Sequence, residues 1–220
     1  MNAPVRIKFC GLTREADVDL AVALGVDMIG LVFAQRSPRR LDGERAAALR
    51  ARIPAHIATV ALVMDAPADD IARILARVHP DLLQFHGTEP EAFCASFGMP
   101  YIKAIALGGA DPQDARHLPH AWPSAHALLL DGHAPGEPGG SGQTFDWQRT
   151  ADAGERRVLL AGGLHPGNVA EAIRRARPWG VDVSSGVEQA TGIKDPAKMR
   201  AFVAAVRDID GRLAGRAVPD

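Results

Sequence analysis

Val5-Arg6-Ile7-Lys8-Phe9-Cys10-Gly11 begins a unit that Met28-Ile29-Gly30-Leu31-Val32-Phe33 completes. The first run is short, extended in pattern and broken by Gly11, which reads as a strand entering a loop. Thr13 stands where a helix N-cap is expected, and Val18, Leu20, Ala21, Val22 and Leu24 form a helical apolar stripe that Gly25 stops. The second run is continuously apolar, as a parallel strand covered on both faces must be. It leads through Ser37-Pro38-Arg39-Arg40 to Asp42-Gly43 and an alanine-rich helix. This strand–helix–strand rhythm governs the rest of the chain.

Further strand patterns lie at 58–64, 82–85, 101–106, 127–130, 157–160 and 181–183, making eight with the first two. Helical patterns at 68–78, 90–97, 168–176 and 196–206 separate them, with fainter ones at 111–118 and 145–149. Strict alternation without a linker or a change of composition implies a parallel sheet. About eight units in 220 residues imply one closed α/β domain over residues 1–220, a (β/α)8 TIM barrel, rather than an open sheet.

Composition narrows the function classes. The 25 basic and 26 acidic residues are interspersed and leave a formal charge of −1, so no broad field for nucleic acid or a membrane surface exists. Any anionic ligand is met locally. No apolar run approaches the roughly 20 residues that a spanning helix needs. The two cysteines, Cys10 and Cys94, are expected to be reduced thiols in a soluble cytoplasmic protein, a monomer or a homodimer. The eight histidines show no paired ligand spacing, and no metal or other cofactor is expected.

In such a barrel the chemistry sits in the loops that follow the strands. Cys10-Gly11 follows the first, Ser37, Arg39 and Arg40 the second, and Gln84-Phe85-His86-Gly87 the fourth. Asp131 ends the sixth. Ala161-Gly162-Gly163-Leu164 and Ser184-Ser185-Gly186-Val187-Glu188 follow the last two. Glycines there let backbone N–H groups approach an anion beside a helix N-terminus, so this pair of loops reads as a phosphate cradle for a small phosphorylated ligand. Gly139-Gly140-Ser141-Gly142 reads as a further anion nest, a lid or a plain connector. Cys10 reads as a buried apolar filler or as a proton-transfer group. Asp131 is poorly explained as packing, and a desolvated carboxyl is suited to general acid chemistry. Arg39 and Arg40 are either a solvated basic loop or a fork for an oxyanion, and Asp182 either a ligand group or a structural one.

Several stretches, in order along almost the whole chain, resemble the phosphoribosylanthranilate isomerase family. They are Lys8-Phe9-Cys10-Gly11-Leu12-Thr13, Gln84-Phe85-His86-Gly87, Gly139-Gly140-Ser141-Gly142-Gln143-Thr144-Phe145-Asp146-Trp147, Leu160-Ala161-Gly162-Gly163-Leu164 with Asn168-Val169, and Val181-Asp182-Val183-Ser184-Ser185-Gly186-Val187-Glu188 through Gly192-Ile193-Lys194-Asp195. The resemblance implies a cofactor-free Amadori rearrangement of a phosphoribosyl substrate in tryptophan biosynthesis, with Cys10 as general base and Asp131 as general acid. It further implies that Arg39 meets the anthranilate carboxylate, with Arg36 and Arg40 close enough in sequence to exchange roles with it. Gln84, His86 and Asp182 would contact substrate, and Gly140, Ser141, Gly162, Gly163, Ser184, Ser185 and Gly186 would hold the phosphate. Phe9 and Phe85 stand where the family more often has smaller aliphatic residues, a difference expected to alter packing and not chemistry.

Three other functions compete. The sister Amadori isomerase of histidine biosynthesis typically carries Asp where Cys10 stands. A binding-only phosphosugar barrel leaves the Cys10 and Asp131 pair without a purpose. A Schiff-base aldolase would need Lys8 or Lys103, for which the sequence offers no compelling paired acid.

Overall fold

A computed structural model describes residues 4–107, 121–132 and 156–215. Its centre is β1 (Arg6–Cys10), β2 (Met28–Val32), β3 (Ala58–Val63), β4 (Leu82–Phe85), β5 (Tyr101–Ala106), β6 (Ala127–Asp131), β7 (Val158–Leu160) and β8 (Gly180–Val183). Each strand pairs in parallel with the next, and β8 returns to β1 with Lys8 opposite Asp182, so the sheet closes into a barrel. Helices α1 (Glu15–Ala23), α2 (Gly43–Arg50), α3 (Ala68–Val78), α4 (Glu91–Ala95), α5 (Val169–Ala176) and α6 (Pro196–Gly215) connect or follow the strands. The helical patterns at 111–118 and 145–149, like Gly140 and Ser141, lie outside the described residues.

The period of two in each strand divides the core. Outward residues such as Ile7, Phe9, Ile29 and Leu31 pack under the helices, whereas Met28, Val60, Leu82, Ile102, Leu129 and Leu159 form an apolar plug inside the barrel. Met199, Phe202, Val206 and Ile209 recur at three- and four-residue spacing on α6, and all four are buried. The Phe9 ring stands edge-on to Phe202 at 6.0 Å, and Phe85 joins Phe93, Phe97 and Tyr101 in an aromatic cluster outside the barrel. Neither ring enters the interior.

The strand bounds shift by a residue at most at either end, and the larger differences from the sequence reading are at the helices. Thr13 does not cap α1: Arg14 holds the N-cap position without a side-chain bond, and the Thr13 hydroxyl donates to the Gly192 carbonyl at 2.6 Å. A distant loop needed that donor more than the helix did. The fourth helical pattern shrinks to α4, and α6 runs past residue 206 to Gly215. A small antiparallel pair, β9 (Glu188–Ala190) and β10 (Ile193–Lys194), follows a single 3-10 turn at Ser185–Val187. No helix among the described residues is long and apolar enough to cross a membrane.

Candidate active site

The C-terminal ends of β6, β7 and β8 form a pocket lined by Asp131, Gly162, Gly163, Asp182, Ser184 and Ser185, with Gly186 at its edge. Strand geometry places these groups together: Asp131 and Asp182 are at inward positions, and the glycines follow where the chain turns out toward a helix. Gly162 and Gly163 have φ of +81° and +62°, a region that favours glycine. A Cβ on Gly162 would come within 2.4 Å of the Gly132 backbone nitrogen and 2.8 Å of Asp131 Oδ1. The bare backbone therefore leaves room for the carboxylate.

Asn168 shapes the first of the two glycine loops. Its side chain donates to the Gly163 carbonyl at 2.9 Å and accepts from the His165 N–H at 2.8 Å. The second loop lies hard against the first, since a Cβ on Gly186 would sit 1.8 Å from the Leu164 carbonyl oxygen. Gly186→Ala must push the loops apart. The expected cost is about 1–3 kcal/mol of stability, the usual range for overpacking, together with a raised KM for a phosphorylated substrate. Thermal melting and steady-state kinetics check this, and an unchanged KM would separate the loop contact from anion binding.

Cys10 ends β1 beside β8 and is 5 % exposed. Burial pushes its thiol above the ordinary value, while the Lys8 and Lys194 ammonium groups pull it back and Asp182 adds to the rise. Lys8 is fully buried, with Nζ 2.8 Å from Asp182 Oδ1. Burial draws Lys8 down, but Asp182 and Cys10 outweigh it and hold the ammonium form above its usual range. Asp182 itself is pushed up by burial, against the pull of Lys8 and with the neighbouring Asp131 adding to the rise. The 2.8 Å contact and the stabilised ammonium favour the ionised pair.

Among the three clustered arginines, Arg36 and Arg40 are exposed and Arg39 is buried. Arg39 Nε and Nη2 each donate to Glu188 at 2.7 Å in a two-pronged pair. Lys194 Nζ donates to the same carboxylate at 2.8 Å and to the Ser184 carbonyl at 3.0 Å, with the Ser184 hydroxyl at 3.4 Å. Burial pushes Glu188 up, but Arg39 and Lys194 outweigh it and hold the carboxyl below its usual range. Such a carboxylate supports folding above its unfolded pKa and loses that contribution only as pH falls through the lowered value, so the tie persists at neutral pH. Two cations against one anion leave a positive corner beside Cys10. Gly11, with φ of +70°, admits the Arg39 stem; a Cβ there would lie 2.5 Å from Arg39 Cδ.

Gln84 and His86 lie across the mouth from Cys10. Gln84 Nε2 and His86 Nδ1 are 3.1 Å apart, and His86 Nε2 is 4.0 Å from Asp131 Oδ2. The loop carrying His86 is anchored by Glu89, which accepts from the Asp65 and Gly87 N–H groups and pairs with buried Lys103 at 2.7 Å. Both candidate Schiff-base lysines thus have paired acids that sequence spacing did not reveal, Asp182 for Lys8 and Glu89 for Lys103. The Asp182 pairing holds Lys8 in the ammonium form, which is no nucleophile, and Lys103 is occupied by Glu89 and the Gly87 carbonyl. Glu188 and Lys194, quoted above only as parts of motifs, join the site as charged groups.

The family model for N-(5'-phosphoribosyl)anthranilate isomerase matches residues 7–205. The chain belongs to that family. A curated phosphoribosylanthranilate isomerase of Stenotrophomonas maltophilia (strain R551-3) is 51 % identical over 205 residues, covering 93 % of this chain and 94 % of that protein. The crystal structure of phosphoribosyl anthranilate isomerase from Thermus thermophilus superposes with a TM-score of 0.81 at 36 % identity, covering 93 % of this chain and all of that one. A phosphoribosyl anthranilate isomerase in complex with reduced 1-(o-carboxyphenylamino)-1-deoxyribulose 5-phosphate has a TM-score of 0.79 at 30 % identity, over 93 % and 99 % of the two chains. Membership in the phosphoribosylanthranilate isomerase family makes the chain an isomerase of tryptophan biosynthesis.

Proposed function

We propose that the mouth of this barrel converts N-(5'-phosphoribosyl)anthranilate to 1-(2-carboxyphenylamino)-1-deoxyribulose 5-phosphate by proton transfers through Asp131 and Cys10. The observation that carries the reading is the placement of a buried thiol and a buried carboxyl at the inward C-terminal ends of β1 and β6, with the glycine cradle between them on β7 and β8. The phosphate rests on the backbone of Gly162-Gly163 and Ser184-Ser185-Gly186. Asp131 gives its proton to the furanose ring oxygen as the bond from that oxygen to C1 breaks, and the aryl nitrogen becomes a protonated Schiff base. The Cys10 thiolate then removes the C2 proton. The electron pair moves to the C1–C2 bond, the iminium nitrogen is neutralised, and the resulting enolamine tautomerises to the ketone as C1 gains a proton and the C2 hydroxyl loses one. Gln84, His86 and Asp182 border the sugar, and no cofactor takes part.

Arg39 is the arginine placed to meet the anthranilate carboxylate, because Glu188 fixes its plane and leaves Nη1 outside that pair. Glu188→Gln removes the two-pronged acceptor and the counter-charge of Lys194. It is expected to raise KM about tenfold or more while changing kcat less, and to lower stability by about 3–5 kcal/mol as a buried ion pair loses one partner. An unchanged KM would remove Arg39 and its tether from carboxylate recognition. The reaction is tested by incubating the protein with freshly made phosphoribosylanthranilate and separating the products by chromatography. The 1-deoxyribulose 5-phosphate adduct is expected; anthranilate from spontaneous hydrolysis as the sole product would refute the reading.

A further inference from the structure

Of the cations around Cys10, one differs from the others in what its N–H groups do. Lys194 has three oxygen neighbours, one from Glu188 and two from Ser184. Arg39 directs Nε and Nη2 at Glu188. Among the described residues Lys8 has a single oxygen acceptor for its three N–H donors, Asp182 Oδ1 at 2.8 Å, although it is fully buried. A buried ammonium with donors to spare is costly unless a further acceptor completes its shell. Along β1 the period of two puts Lys8 and Cys10 on the same inward face.

Gly30 on the adjoining strand shows how close the two groups come. A Cβ there would lie 2.8 Å from Cys10 Sγ and 3.2 Å from Lys8 Nζ. Thiol and ammonium therefore share a space that is open only because residue 30 has no side chain. We infer that Lys8 is a positioning residue whose ammonium, held by Asp182, donates to the Cys10 thiolate as its second acceptor and so makes the base available, with Gly30 keeping the gap between them clear. Lys8 does not touch substrate and transfers no proton. The inference rests on Cys10 being the base. The groups facing Cys10 are Lys8 on its own strand, Asp182 from β8, Lys194 from β10 and Arg39 from the loop after β2; the last two are engaged by Glu188.

The test is the thiolate absorbance near 240 nm followed against pH, each protein being read against the same protein carrying Cys10→Ala, so that Cys94 and Tyr101 cancel. Lys8→Gln keeps a donor for Asp182 but removes the charge. Its Cys10 titration is expected to move up by about one pH unit or more, the scale of an opposite charge at close range, and the acid limb of kcat/KM is expected to move with it. Gly30→Ala retains every charge and forces Sγ and Nζ apart, and a smaller upward movement is expected. Titrations of both variants that coincide with wild type would overturn the inference. If Lys8→Gln does not fold, Gly30→Ala decides alone, an upward movement supporting the inference and a coincident curve overturning it. The readout needs no turnover, so it separates this inference from the role of Cys10: an active Cys10→Ala would refute the base itself whatever the titration showed.

Discussion

Cys10→Ala is expected to fold as wild type does and to lose turnover by about 10² to 10⁴, the range attributed to a positioned general base. The fold should hardly notice the change. Ile7 and Phe9 on the outward face, with Phe202 against Phe9, hold β1 under α1 and α6, and Cys10 contributes one sulfur at the barrel's open end. The KM should change little, because phosphate and carboxylate contacts lie elsewhere. Burial raises the thiol, so in wild type kcat/KM should increase with pH through the neutral and mildly alkaline range as the thiolate fraction grows. Circular dichroism with steady-state kinetics checks both parts. Near-wild-type turnover in the folded variant would remove Cys10 from the reaction.

Asp131→Asn is expected to cost turnover by a similar factor of about 10² or more, through loss of the proton that opens the furanose ring. The amide matches the carboxyl in shape, and the Leu128-Leu129-Leu130 run before it secures β6 by burial, so folding is expected to survive. The two variants differ in one readout. A substrate analogue already in the ring-opened form needs no acid at O4, so a reduced product analogue should bind Asp131→Asn with nearly wild-type affinity. Calorimetric titration tests this; a Kd raised in proportion to the fall in turnover would make Asp131 a binding group and not the acid.

The barrel was legible because its signal is periodic. Continuous runs such as Met28-Ile29-Gly30-Leu31-Val32 read as strands covered on both faces, and β2 is buried throughout; the α1 stripe fits less closely, with Val18 and Ala21 buried and Leu20, Val22 and Leu24 half-buried against the core. The glycine-bearing loops after the last two strands were legible for a related reason, and the structure brings them together around one pocket. What escaped was long-range pairing. Thr13 reads locally as a cap, yet its acceptor is Gly192, far along the chain. Nothing near Glu188 in sequence marks it as the holder of Arg39, and the acids that pair Lys8 and Lys103 come from other strands or loops. Composition and spacing describe one segment at a time, whereas these ties arise from barrel closure. One clue was available: Lys8 stands two residues before Cys10, so strand alternation alone places both in the interior. A lysine there must have a partner.

The different burial of Arg36, Arg39 and Arg40 was likewise not legible in the sequence. Spacing cannot separate three arginines on one loop, but only Arg39 turns inward, through the space that Gly11 leaves.

The most direct measurement is single-turnover decay of phosphoribosylanthranilate fluorescence with enzyme in excess, run in parallel on wild type, Cys10→Ala and Asp131→Asn. Rapid decay with wild type alone, while both folded variants stay near the spontaneous hydrolysis rate, is the result expected. Wild-type decay no faster than hydrolysis, or an equally rapid decay with either variant, would contradict the assignment of Cys10 and Asp131 as the base and acid of this isomerase.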